Sequence, residues 1–184
     1  MKTIIVATGL SLAVLGTVPT SAASISYNRP LTNACYEAAA IKKSPQGIAQ
    51  CNAAITTEAT TDGAERMASL VNRGILFLLA DRAADAGRDF DEALAFDPQQ
   101  PEALLGKAIE QWHQGNNADA VQLATRSLQY GPKRPAVAYL IRGLANEQQG
   151  DLRAAYSDLQ TARQIEPNWA EPAVELQRYR VVRR

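Results

Sequence analysis

The chain has 184 residues, and its 19 Lys+Arg balance 19 Asp+Glu. Zero net charge leaves no electrostatic footprint for nucleic acid, and one His with two Cys cannot supply the usual zinc ligand sets. The 46% hydrophobic fraction is that of a folded protein, and the length fits one domain that buries roughly 70% of its unfolded surface.

Met1-Lys2-Thr3 is a short, singly charged start, followed by the apolar stretch Ile4 to Val18 and then Pro19-Thr20-Ser21-Ala22-Ala23. This order predicts a signal peptide over residues 1–23, cleaved after Ala22 or Ala23, where the small-x-small rule is met. The alternative is an uncleaved anchor, but an apolar run of about 15 residues falls short of a bilayer's roughly 18–20, and Gly9, Ser11 and Gly16 weaken it. No Cys follows within a few residues, which argues against a lipid-modified terminus. No second long apolar run occurs, so no stable membrane insertion is expected after the signal is removed. The expected location is outside the cytoplasm, the periplasm first and the exterior second.

Residues 24–31 read as an extended lead, and residues 32–66 as a degenerate helical hairpin that turns at Lys43-Ser44-Pro45. Ser44 suits an N-cap and Pro45 the first helical place; residues 58–63 link this hairpin onward. Cys35 and Cys51 flank residue 43 symmetrically, which sets them opposite each other on antiparallel helices, within disulfide reach. Export and an even Cys count favour oxidation. A loop of roughly 15 residues closed in this way contributes about 3 kcal/mol in the chain-entropy view. Two buried free thiols are the alternative; a redox-active pair lacks the C-x-x-C spacing.

Beyond this the chain repeats. Pro98 and Pro101, Pro132 and Pro135, and Pro167 and Pro172 form three pairs, with steps of 34 and then about 35 residues. Proline is tolerated in a first helical turn and disfavoured inside a helix, so the pairs punctuate units. Gly74 recurs as Ala108 and Gly143, Ala86 as Ala120 and Ala155, Phe90 as Ala124 and Leu159, and Ala93 as Ser127 and Ala162. Each unit reads as two helices by apolar period, with small residues where they cross and Phe90 and Leu159 filling the gap to a neighbouring hairpin. Asn116-Asn117 and Gly150-Asp151 suit caps of second helices. No stretch alternates with a sustained period of two, so no strands are expected.

Residues 67–100, with Leu70, Gly74, Phe77, Ala86, Phe90 and Pro98, resemble a tetratricopeptide repeat. Residues 101–134 resemble it through Leu104, Ala108, Ala120 and Pro132, with Gln111 replacing an aromatic. Residues 135–169 do so through Gly143, Ala155, Leu159, Ala162 and Pro167, with Asn146 in the aromatic place. The resemblance implies an all-α, right-handed α-solenoid of antiparallel hairpins, about four of them. Residues 170–184 are expected to form a capping helix that covers the last hairpin with Ala173, Val174 and Leu176.

The same resemblance implies a concave groove lined by the first helix of each unit. Its lining corresponds to Val71, Ile75 and Leu78, then Leu105, Ile109, Trp112 and His113, then Leu140, Leu144 and Glu147. The set is largely apolar and lacks the Lys/Asn pattern that tetratricopeptide chaperone cofactors use to clamp a carboxylate. The expected partner is therefore an apolar or amphipathic segment of another protein or peptide. The competing reading is a self-associating envelope component that uses the same surface as a homo-oligomer. No catalytic role is expected: His113 is the sole imidazole, and G-x-S-x-G, H-E-x-x-H and phosphate-cradling loops do not occur. No cofactor and no metal are expected; Asp81, Asp85, Asp89, Asp91 and Glu92 have no EF-hand spacing and read as a solvated helix face with Arg82 and Arg88. Arg178, Arg180, Arg183 and Arg184 form a basic tail that complements a helix C-terminus, or alternatively meets an anionic surface.

Overall fold

A computed structural model describes residues 3–7, 30–42, 44–58 and 63–183 of the chain. Apolar residues at helical spacing fold into helices α1 (Pro30–Ala40), α2 (Ser44–Ala53), α3 (Gly63–Leu79), α4 (Ala83–Phe96), α5 (Pro101–His113), α6 (Asn117–Tyr130), α7 (Pro135–Gln148), α8 (Leu152–Ile165) and α9 (Ala170–Leu176). Consecutive helices pack as four hairpins, α1/α2, α3/α4, α5/α6 and α7/α8, and each hairpin stacks on the next through α2/α3, α4/α5 and α6/α7. The fold is an α-solenoid, and α9 packs on α8 as a cap, with Leu176 turned inward but Val174, expected to cover the hairpin, 54% exposed.

Local chemistry sets the joints. Pro101 and Pro135 open α5 and α7, where a missing N–H has no consequence. Gly115 and Gly150 make the hairpin turns with φ of 80° and 83°, in the left-handed region that favours glycine. Asp81 takes the same place in the first unit with φ of 56°. The Asp151 carboxylate accepts from the Ala154 N–H at 2.9 Å and caps α8 as expected. Asn116 stands at the N-cap of α6, but its amide instead donates to Gln111 at 2.8 Å, so it gives no side-chain cap.

The fully buried Phe90 joins two units. A Cβ at Gly74 would lie 2.6 Å from its ring, and one at Gly106 of the next unit 2.3 Å. Glycine is therefore required on both sides of this ring. A Cβ at Gly143 would lie 3.2 Å from the Ala155 carbonyl and 3.3 Å from Leu159, a milder shortage of room. At the other end Cys35 and Cys51 are joined by a disulfide, with Cα atoms 4.5 Å apart. Both are buried in a cluster with Ala39, Ala54 and Leu76, which seats the first hairpin on α3.

Three expectations need correction. The C-terminal helix stops at Leu176, and Tyr179–Arg183 forms strand β2, paired antiparallel with strand β1 (Thr3–Ala7) in the register Thr3 with Arg183 and Ala7 with Tyr179. Both segments are rich in β-branched residues, which suit an extended ladder better than a helix. The remainder of the predicted signal segment lies outside the described residues, as does Arg184. The N-terminal boundaries also move. Pro30 and Leu31 belong to α1 rather than to an extended lead, and α3 begins at Gly63 rather than at 67. Glu65 then falls in its first turn, where an acid complements the helix dipole. Finally, α2 runs on as a π-helical turn, Ala54–Glu58, with the Thr56 hydroxyl donating to the Asn52 carbonyl at 2.9 Å.

Candidate functional site

The three first helices α3, α5 and α7 carry all ten predicted groove residues. The structure separates them by depth. Val71, Ile75, Leu105, Ile109 and Leu140 are buried, the first four among side chains of their own hairpin and the adjoining one, and Leu140 among residues of α8 and Tyr179. Val71 and Ile75 belong to a core with Leu70 and Phe90, and Leu105 and Ile109 to one with Val137 and Ile141. These five are core and offer no surface to a partner. Leu78, Trp112, Leu144 and Glu147 are half-buried, and His113 is the most open of the set.

Leu78 and Trp112, from two successive units, both pack on the same core cluster. The Trp112 and His113 rings lie 5.0 Å apart at 58°. Partial burial pushes the His113 imidazole below its ordinary pKa, against the opposing pull of the Asp81 carboxylate. The neutral ring is thus favoured at neutral pH. Together the Trp112 and His113 rings pair an apolar body with a polar edge.

The third unit differs, because the chain's own C-terminal segment reaches it. Tyr179 is buried among Leu140, Leu144, Tyr156 and Leu176, with its ring 5.6 Å from that of Tyr156. Its hydroxyl donates to Glu147 Oε2 at 2.7 Å. Burial, and then this bond, holds the phenol well above its usual pKa. Arg178 donates to the same Glu147 oxygen at 2.8 Å and also to Glu175. Of the four tail arginines, then, Arg178 is engaged within the fold, Arg180 is exposed, and Arg183 lies in β2.

The acidic stretch is largely the exposed face expected of it, with Asp81, Arg82, Arg88 and Asp91 open to solvent, but one member departs from it. Asp89 is buried, and Arg73 grips both its oxygens at 2.7 Å. Burial pushes the Asp89 carboxyl up, while the bond to Asp89 raises the Arg73 guanidinium. Asp85 pairs with Arg82 and Arg88, Asp91 with Lys107, and Glu92 with Arg66. Among the described residues no group of His, Cys, Asp or Glu is placed to hold a metal ion. Nor is any described helix long and apolar enough to cross a membrane.

Known proteins place this arrangement. No family model matches the chain. A curated protein, the CTR9 homolog of Arabidopsis thaliana, is 31% identical over 106 residues, 58% of this chain and 10% of that protein. The chain therefore spans about a tenth of that relative's length. Among solved structures, MamA superposes with a TM-score of 0.63 at 13% identity and covers 82% of each chain. The first TPR domain of human RPAP3 gives 0.58 at 21% identity, over 62% of this chain and 90% of that domain. The Pseudomonas aeruginosa pilF structure gives 0.62 at 21%, over 80% and 63%. The fold is the tetratricopeptide repeat.

Two features of these tetratricopeptide units were not read from the sequence. The first is the repeated clamp: Arg142 grips Asp158 at 2.7 and 2.9 Å, sixteen residues on, just as Arg73 grips Asp89. The matching Arg and Asp registers of units one and three carried that signal. The second is an apolar row. Phe96, Tyr130 and Ile165 end the second helices α4, α6 and α8 and are 48%, 43% and 43% exposed. Their spacing of 34 and 35 residues repeats the step of the units.

Proposed function

We propose that the protein is an exported, non-catalytic adaptor that holds an apolar or amphipathic segment of another protein on its concave side. The observation that carries this reading is that Leu78 and Trp112, in two successive tetratricopeptide units, stay half-buried on one core cluster, with the exposed His113 ring beside Trp112. A Trp with one open edge is the residue type that dominates binding energy when it is desolvated by a partner. Export is supported by the predicted signal over residues 1–23, and the buried Cys35–Cys51 disulfide fits an oxidising compartment. The test is a photo-crosslinking residue at position 113 in living cells. A discrete captured protein is expected, and its capture should fail in Trp112→Glu and Leu78→Glu variants that keep their helical circular dichroism. Capture that survives both substitutions would sink the assignment.

A second reading, self-association into an envelope assembly, is favoured by the row Phe96, Tyr130 and Ile165. Exposed apolar side chains repeated in one register suit contact with another elongated surface. Light scattering decides it. A monomer at high concentration, unaltered by Phe96→Ser and Tyr130→Ser, removes this reading.

A further inference from the structure

Glu147 stands at a predicted groove place of the third unit, and one of its oxygens takes both polar groups of the chain's own tail. The Tyr179 hydroxyl donates at 2.7 Å and the Arg178 guanidinium at 2.8 Å. Glu175 offers Arg178 a second carboxylate. The Tyr179 ring meanwhile fills an apolar seat beside Leu140, Leu144 and Tyr156. Paired acids beside an aromatic-sized apolar seat form a recognition site with a definite chemistry: a basic side chain followed by a tyrosine.

After α9 ends at Leu176, the holds on the resident tail include Arg178, Tyr179 and the ladder of β2 with Thr3–Ala7. That ladder strand lies in the segment read as a signal peptide, so cleavage on export would remove the ladder's share of the hold on the tail. A segment tethered next to its seat competes at high effective concentration, yet it yields to a partner with the same groups and further contacts on the neighbouring units.

We propose that the Glu147 seat recognises a basic–tyrosine segment of a partner protein, and that Arg178 and Tyr179 fill it at rest. This rests on the adaptor reading and gives that partner a chemistry. Binding and tail release are then a single exchange.

The probe is a fluorescein-labelled peptide with the sequence of residues 177–184, titrated by anisotropy against full-length chains. The double variant Arg178→Ala/Tyr179→Ala, with its seat emptied, should bind the peptide at least tenfold more tightly than the wild type. Adding Glu147→Gln should abolish that binding, and a peptide with phenylalanine in place of its tyrosine should bind about tenfold more weakly. A folded double variant that ignores the peptide, or binding indifferent to Glu147→Gln, overturns the proposal. Should the double variant not fold, Tyr179→Phe alone loosens the tail and should tighten peptide binding several-fold; no change there also overturns it. A wild-type dimer in light scattering that Tyr179→Ala dissolves would make a second copy the ligand and end the partner assignment. Failure of any kind here, with capture from position 113 intact, leaves the adaptor reading standing.

Discussion

Arg142 holds both oxygens of Asp158, and Asn146 adds a third hydrogen bond to the same carboxylate at 3.3 Å. In the first unit Arg73 holds Asp89 in the same way, but Phe77 stands where Asn146 would be. The two clamps should respond differently when the guanidinium is removed. Arg73→Met strands a buried carboxylate and should lower stability by about 3 kcal/mol, the cost of breaking a buried pair. Arg142→Met should lose less, because the Asn146 amide still donates. Urea melts of the two variants measure the difference, and equal losses would show that the amide contributes nothing.

Gly106→Ala should destabilise the protein by about 1–3 kcal/mol, as overpacking does. The new methyl would lie 2.3 Å from the Phe90 Cζ, and Gly74 on the other side leaves the ring nowhere to go. The helix propensity gained from alanine, about 1 kcal/mol, does not offset this. Phe90→Leu in the same chain should recover part of the loss, so a thermal-melt cycle over the two positions should show coupling. Additive losses would mean that the ring is not what the methyl meets.

Asp81→Gly should raise stability by about 0.5–1 kcal/mol. Asp81 holds a φ of 56° that L-residues adopt only at a cost, in a turn where Gly115 and Gly150 take the other two units. Glycine's greater freedom in the unfolded chain subtracts from the gain. A lower midpoint in urea would show that the Asp81 carboxylate contributes more than its backbone strain costs.

Reduction of Cys35–Cys51 should cost about 3 kcal/mol of stability in the first hairpin by chain entropy. The bonded pair encloses only α1, α2 and their turn, so the effect should be local. Hydrogen exchange should speed up over residues 30–58 under reductant while α5 to α8 keep their protection. Uniform acceleration along the whole solenoid would contradict this.

The repeat was legible because its signals lie at fixed register: the paired prolines, the Gly74 series and the Ala86 series all share one step. The disulfide was legible because two cysteines equidistant from a turn come level on antiparallel helices and, on facing sides, lie opposite each other. Depth was not legible. The resemblance assigns Ile75 and Ile109 to the inner side of first helices, but it does not say how tightly the hairpin partner and the adjoining unit pack on them, and that packing buries them. The clamps were missed because Arg73 and Asp89 sit on different helices, and reading along α4 alone makes Asp89 look as solvated as its neighbours. The strand Tyr179–Arg183 was missed because its partner is at the far end of the chain, where no local pattern can announce it.

Phe90 has a consequence for how the array comes apart. A solenoid's stability is usually divided into what each repeat holds by itself and what each joint between repeats adds. Here one ring serves both, walled by Gly74 of its own hairpin and by Gly106 of the next. The first two units therefore share a keystone, and damage to it loosens hairpin and joint together. In the second unit Ala124 stands in that place, and the joint to the third is spread over Val137, Ala138 and Ile141. One joint should fail all at once and the other by degrees.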